Sequence, residues 1–176
     1  MKRASTVKYI ALVGIMAATV ECAKLALSFL PNIEAVTLLL ALYGYVFGSA
    51  GVMAALVFVC IEPLIYGINT WVITYFIYWP LVAIVYMLLG RARVKNRPVL
   101  ASVAVVLTVF FGLLSSFVDL TVLSGSFDNL FQRFAVYYAR GAVFYVVQTV
   151  CNAVLFILLF PSLRRLLEKI KEQTFQ

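Results

Sequence analysis

The sequence predicts an all-α integral membrane protein whose six transmembrane helices form a single bundle. Its 176 residues are 65% hydrophobic with a mean hydropathy of +1.06, whereas soluble domains are roughly half apolar. The apolar residues also fall into runs separated by turns or basic segments. Most basic residues lie in three clusters, Lys2, Arg3 and Lys8; Arg91, Arg93, Lys95 and Arg97; and Arg164, Arg165, Lys169 and Lys171. Because basic segments stay on the cytoplasmic side, both termini and the loop at 91–97 are expected there.

The six spans are predicted at 7–30, 33–48, 51–67, 71–90, 99–124 and 133–161. The first span is read as a retained helix, because its apolar run exceeds the ~7–15 residues of a signal-peptide core. The second and third spans are short against the ~20 residues that usually cross a bilayer. They either cross in a tilted or thinned arrangement, which we prefer, or form a hairpin that does not fully cross. After Pro161 a basic cytoplasmic tail is expected.

A face of small residues marks the first helix. Gly14 and Ala18 are four residues apart, and Ala11 lies one turn earlier on nearly the same face. Small residues at this spacing let a second helix approach closely within a membrane. That helix belongs either to the same chain or to a partner protein, and this motif alone favours neither.

Polar and aromatic residues concentrate in the outer half of the predicted bundle. Ionisable side chains within spans are costly and usually face a cavity or a partner group. The inner half carries almost none, which argues against a channel or a proton relay. The pattern predicts an outward-facing pocket for a medium or large organic ligand. Its expected lining is Glu34, Glu62, Trp71, Tyr75, Arg133, Tyr137 and Arg140.

Several function classes are disfavoured by composition. The chain has no histidine, which removes Ser-His and Cys-His catalysis and the usual zinc-peptidase motif. Its three cysteines all lie in apolar spans, and no Cys-x-x-Cys pair is present to hold zinc. No metal site and no cofactor are therefore expected. The net charge of +7 is explained by the clusters beside the spans rather than by nucleic-acid binding.

The chain resembles the S components of energy-coupling factor (ECF) transporters. The resemblance covers essentially the whole chain and is strongest in Leu30-Pro-Asn-Ile-Glu-Ala-Val-Thr-Leu-Leu, Tyr43-Gly-Tyr-Val-Phe-Gly48, Glu62-Pro-Leu-Ile-Tyr-Gly67 and the segment 71–79. It implies a vitamin-binding subunit of the cell membrane that docks onto a transmembrane T component with two ATPases. The Ala-x-x-x-Ala docking motif of the family corresponds here to Gly14 and Ala18, with Ala11 nearby. No Walker motif is present, in agreement with ATP hydrolysis by the partners.

The sequence indicates the family more clearly than it indicates the substrate. The segment 30–79 looks most like that of S components for cobalamin-type or still unassigned substrates. Riboflavin, pantothenate, thiamine precursors and queuosine precursors are the other candidate substrates. Two other functions are kept as alternatives. One is a membrane enzyme acting on a lipid or prenyl substrate through Glu34, Glu62 and Asp119, although no Asp-Asp-x-x-Asp motif is present. The other is a membrane assembly protein, which would leave the outer polar residues without a role.

Overall fold

The computed structural model describes residues 2–124 and 128–175, and these contain helices and no strand. The predicted loop after the fifth helix begins at Gly125, and residues 125–127 lie outside the described part. The helices, numbered in chain order, are α1 Lys2–Leu27, α2 Val36–Phe47, α3 Ser49–Tyr66, α4 Thr70–Arg91, α5 Arg97–Ser124, α6 Leu130–Leu158 and α7 Phe160–Phe175. The expectation of an all-helical chain is confirmed.

Five helices, α1 and α3 to α6, are long and apolar enough to cross a membrane, as in a multi-pass membrane protein. Helix α2 is apolar but has only 12 residues, which corresponds to about 18 Å. This is well short of the ~30 Å hydrocarbon core. Helix α3, with 18 residues, reaches the lower limit for a span. The predicted apolar helices are therefore present, and α2 is the one whose length does not by itself cross.

The centre of the bundle lies between α2, α3 and α4. The largest fully buried side chains include Phe58, Tyr78, Trp79 and Tyr86, three of which belong to α4. Helices α2 and α4 approach so closely that a Cβ on Gly44 would clash with the carbonyl oxygen of Ala83. Such contact through small residues is the usual way helices associate in lipid. Helix α1 packs mainly against α3, and α6 mainly against α5.

The loop between α1 and α2, residues 28–35, folds back over one end of the bundle. It forms successive turns, with Leu30 N donating to Leu27 O at 2.9 Å and Ile33 N donating to Leu30 O at 3.3 Å. Asn32 has φ of 58°, a left-handed conformation that asparagine tolerates better than most residues. Because α2 is short, the end of this loop reaches into the bundle rather than staying at its surface.

The C-terminal segment differs from the expectation of a sixth helix to residue 161 followed by a basic tail. Helix α6 ends at Leu158, and Phe160 begins a separate amphipathic helix, α7. Pro161 explains the break, since it cannot donate the backbone hydrogen bond that continues α6 but is well suited to a first helical turn. Leu163 and Leu167 pack on the core, whereas Leu166 is exposed, as expected for an interfacial helix.

Candidate functional site

A cavity of about 310 Å³ lies beneath the loop at residues 28–35. The loop supplies much of its wall, and residues of α1 to α6 supply the remainder. Its lining residues are Lys24, Leu27, Ser28, Leu30, Pro31, Asn32, Ile33, Glu34, Val36, Tyr66, Tyr75, Trp79, Phe111 and Gln148. The cavity thus combines aromatic rings with one cation, one carboxylate and two amides.

Lys24 of α1 carries the positive charge of the cavity. Its ammonium forms an ion pair with Glu62 of α3, and the two side chains are 20% and 0% exposed. The same Nζ lies 4.0 Å from the ring centroid of Tyr66, 5.1 Å from that of Trp71 and 5.5 Å from that of Tyr75. Cations are attracted to the faces of aromatic rings, more strongly where water is excluded. The lysine is therefore held both by a carboxylate and by an aromatic cage.

A second carboxylate lies beside this pair. Glu21 is only 8% exposed, and Tyr66 Oη donates to its Oε1 at 3.5 Å. Within the described residues, Glu21 Oε2 and Glu62 Oε1 are buried and accept no hydrogen bond. Buried acceptors without partners are rare because their desolvation is costly. Two carboxylates thus face one ammonium, and the group retains acceptor capacity.

Glu34, at the end of the loop, organises a second polar group. Its carboxylate accepts from Thr37 N at 2.8 Å and from Thr37 Oγ1 at 2.5 Å, which satisfies a free donor at the start of α2. Asn152 Nδ2 donates to Glu34 Oε1 at 2.9 Å, and Gln148 Nε2 lies 3.5 Å from the same oxygen. These bonds attach the loop to α6 deep inside the bundle.

Asn152 extends that group to α5. Its Nδ2 donates to Thr108 Oγ1 at 3.1 Å, which is a hydrogen bond between α6 and α5. Thr108 is eleven residues beyond the start of α5, or about 17 Å along that helix. Glu34 consequently lies well inside the bundle, away from the ends of the membrane-crossing helices. The short α2 makes this position possible.

The aromatic wall of the cavity runs along α4. Trp71 and Tyr75 have ring centroids 5.0 Å apart, and Tyr75 and Trp79 are 5.2 Å apart, both with edge-to-face geometry. Trp79 stacks on Phe111 of α5, with an interplanar angle of 27°. Tyr78 is fully buried in the core instead. Tyr75 and Trp79 thus line the cavity, and Trp71 lies beside Tyr75 and near Lys24.

Two polar atoms in the cavity lining have no hydrogen-bond partner among the described residues. They are Trp79 Nε1, a donor, and Gln148 Oε1, an acceptor, and both are buried. A buried donor and a buried acceptor thus belong to side chains that line one cavity, which suits a site where a small molecule completes the hydrogen bonding.

The structure divides the predicted pocket residues between two places. Glu34, Glu62, Trp71 and Tyr75 belong to the cavity or to the Lys24 group that borders it. The other three line a separate groove of about 300 Å³ on the outer part of α6, together with Gln132 and Val136; they are Arg133, Tyr137 and Arg140. The structure thus places these seven residues at two separate sites rather than around one cavity.

The cause of this division is the packing of α6. Over its outer part this helix has α5 as its main neighbour, so Arg140 remains exposed and its guanidinium lies 5.9 Å from the ring centroid of Tyr137. Gln148 and Asn152, which lie nearer the C-terminal end of α6, are buried in the interior of the bundle. A residue stripe read from helical periodicity is continuous, but the neighbours of the helix change along its length.

Lys24, Trp79 and Gln148 were not among the predicted site residues. Helical spacing alone allows Lys24 to pair with Glu21 on its own helix, because the two are three residues apart. In the structure Lys24 pairs with Glu62 across 38 residues of sequence. A lysine inside an apolar span was the available signal, since such residues usually have a buried partner.

The small-residue face of α1 points away from the bundle. Ala11, Gly14 and Ala18 are all exposed, and a Cβ on Gly14 would meet nothing within 4 Å. The buried residues of α1 are on its other face and include Val13, Ala17 and Val20. Internal helix packing therefore does not account for the small residues.

The described residues contain no group of three or more His, Cys, Asp or Glu side chains that could hold a metal ion. No protein-family model, no curated protein and no solved structure matched this chain.

Proposed function

We propose that this chain is the substrate-binding S component of an ECF-type transporter, which captures a vitamin-type small molecule at the outer side of the cell membrane. The proposal rests on the sequence resemblance, on the apolar helical bundle and above all on the cavity beneath residues 28–35. That cavity carries a buried donor on Trp79 and a buried acceptor on Gln148 without partners among the described residues.

The lining favours a compact ligand with a flat, unsaturated part. Tyr75, Trp79 and Phe111 offer ring faces and edges for stacking, which contributes beyond the apolar area that is buried. The cavity volume of about 310 Å³ is at the lower end of the ~300–1,000 Å³ of small-molecule sites. A vitamin precursor fits this size, whereas a cobalamin-type ligand, the first expectation from the resemblance, requires the loop to move off the bundle.

The exposed face of α1 suits the second task of an S component, which is docking. Ala11, Gly14 and Ala18 present backbone without bulky side chains, and such surfaces accept a neighbouring helix in lipid. We propose that the T component binds there and that two ATPase subunits supply the energy for release.

We also propose that α7 and the loop between α4 and α5 lie in the cytoplasm. Tyr45 Oη donates to Val94 O at 2.9 Å, and Lys171 Nζ donates to Val46 O at 2.6 Å. Two of the three basic clusters are thereby gathered at one end of the bundle, which the positive-inside rule assigns to the cytoplasm. The cavity opens towards the other end.

The test is mass spectrometry of small molecules that co-purify with the full chain, comparing Gln148→Leu with Gln132→Leu. Both changes replace an amide by an apolar side chain on α6, but only Gln148 lines the cavity. We expect one small organic molecule to be retained by the wild type and by Gln132→Leu and to fall at least fivefold in Gln148→Leu. Retention by Gln148→Leu with loss in Gln132→Leu would place the ligand in the outer groove of α6 and refute the cavity.

The same purified protein distinguishes the transporter subunit from the two alternatives, a membrane enzyme and an assembly protein. A binding subunit retains its ligand unchanged, so the co-purified molecule added back to purified protein is recovered intact. Conversion of that molecule by the chain alone would favour the membrane enzyme. Absence of any retained molecule, with normal folding and partner assembly, would favour the assembly protein.

A further inference from the structure

A basic cleft of about 250 Å³ lies at the end of the bundle opposite the cavity. Four cationic side chains line it, Lys95, Arg97, Arg164 and Arg165, and no acidic residue does. Phe156 and Phe160, whose stacked rings are 5.3 Å apart, contribute the apolar part of the wall. The cleft therefore joins the start of α5 to the junction between α6 and α7.

An apolar groove of about 580 Å³ begins at the same place. It runs between α5 and α6 and is lined by Arg97, Pro98, Ala101, Val105, Ala153 and Ile157 among others. Arg97 is common to the cleft and the groove. The other groove residues belong to two helices of membrane-crossing length, so the groove follows the spans away from the basic end.

One cation of the cleft is held in place by the fold. Arg164 NH1 donates to Tyr45 Oη at 3.4 Å, and its guanidinium lies 5.6 Å from the Tyr45 ring centroid. Its Nε is buried, lies 3.6 Å from Glu168 Oε1 and makes no hydrogen bond with the described residues. A guanidinium held in one position is suited to binding an oxyanion, because little ordering is needed on binding.

We propose that this cleft and groove together bind an anionic phospholipid, with its phosphate among the four basic side chains and one acyl chain between α5 and α6. A membrane phospholipid joins an anionic head to long apolar chains, and the basic and apolar surfaces meet at Arg97. Basic pockets between helices at the cytoplasmic face are recognised sites for acidic lipid head groups. The inference does not depend on the transport function.

The test measures lipid retained by the purified full chain in native mass spectrometry, using phosphatidylglycerol and phosphatidylcholine with identical acyl chains. We expect a preference for phosphatidylglycerol of at least fivefold. Arg97→Gln with Arg165→Gln should reduce the preference at least threefold. The matched control, Arg91→Gln with Lys169→Gln, removes the same charge from residues that line neither surface and should change it less than twofold.

The binding of the acyl chain is tested with Ala153→Phe. This substitution fills the groove and should lower phosphatidylglycerol retention at least threefold. Glycerol phosphate, which lacks acyl chains, should not displace the lipid at a hundredfold excess. Displacement by glycerol phosphate together with normal retention by Ala153→Phe would show a site for free phosphate compounds and overturn the proposal. Equal losses in the two double variants would also overturn it, since diffuse surface charge would then explain the preference.

Thermal unfolding of each variant establishes that it is folded. If Arg97→Gln with Arg165→Gln does not purify as a folded protein, Lys95→Gln with Arg97→Gln removes two cleft charges without altering α7. Unchanged lipid preference in that variant, with loss of a co-purifying protein instead, would identify the cleft as a docking site for an acidic protein segment and would refute lipid binding.

Discussion

Lys24 and Glu62 form an ion pair that joins the ends of α1 and α3 across 38 residues of sequence. Glu62 is fully buried and Lys24 is 20% exposed, and the lysine borders the cavity. The pair therefore has two possible effects, one on the stability of the bundle and one on ligand binding. The two effects can be separated with variants of each partner.

Lys24→Met should lower the thermal stability of the ligand-free protein, because it leaves the Glu62 carboxylate buried without a cation. Removing one partner of a buried pair typically costs about 3–5 kcal/mol, and the partial exposure of Lys24 favours the lower part of that range. The double variant Lys24→Met with Glu62→Gln should recover much of the loss. Thermal unfolding in detergent measures both, and a double variant less stable than Lys24→Met would contradict the pairing.

Glu34→Ala should also destabilise the protein, by about 1–3 kcal/mol, because it leaves donors of Thr37 and Asn152 without their acceptor. Glu34→Gln should cost less, since an amide oxygen remains. Glu172→Ala, on the exposed surface of α7, is the control and should have little effect. Equal stability of Glu34→Ala and the control would show that the loop is not anchored through this carboxylate.

Gly44→Ala and Gly14→Ala add the same methyl group to two apolar helices and should give opposite results. At Gly44 the new Cβ would clash with the backbone of Ala83, so α2 and α4 must separate, at a cost of about 1–3 kcal/mol. At Gly14 the space is open, and alanine favours the helix by up to about 1 kcal/mol. A melting temperature unchanged in Gly44→Ala would contradict the close packing of α2 on α4.

Gly14→Leu tests the proposed docking face of α1. The substitution should leave folding and ligand binding intact, because nothing in the described chain lies within 4 Å of the new Cβ. Co-purification of a T component and uptake in cells should fall at least tenfold if another helix packs there. Ile15→Leu, a mild change at a neighbouring exposed position, is the control. Normal assembly of Gly14→Leu would exclude this face from docking.

Arg140→Gln should leave ligand affinity within twofold of the wild type, whereas Tyr75→Leu should weaken it at least tenfold, or about 1.4 kcal/mol. Arg140 lies in the outer groove of α6, and Tyr75 lines the cavity. Binding of the co-purified molecule to each purified variant measures the difference. Weaker binding by Arg140→Gln alone would mean that the outer groove, rather than the cavity, holds the ligand.

Much of the fold could be predicted from local sequence properties. Length and apolarity located six apolar helices, with the observed ends mostly within a few residues of the predicted ones. The start of α1 differs most, observed at Lys2 rather than residue 7. Helix α2 begins at Val36 rather than residue 33, with Glu34 in the preceding loop accepting the hydrogen bond of Thr37 N. The basic character of the segment 91–97 likewise follows from composition alone.

The candidate site could be predicted only in part. Glu34 and Tyr75 were found because charged and aromatic residues inside apolar runs are conspicuous. Within α1 alone, the acidic residue that Lys24 can reach is Glu21, three positions earlier on the same helix face. Its pairing with Glu62 depends on α1 packing against α3, which helical periodicity does not encode.

The sequence by itself determined that this chain is an all-helical membrane protein, which of its residues are apolar enough to span, and where its basic charge lies. Those properties depend on composition over stretches of about 20 residues and on the cost of polar groups in lipid. Only the tertiary structure decided that α7 folds back to Tyr45, that Arg140 faces away from the cavity, and that Gln148 lines it. Each of these depends on which helices are neighbours at a given depth, and that is fixed by the packing of the whole bundle.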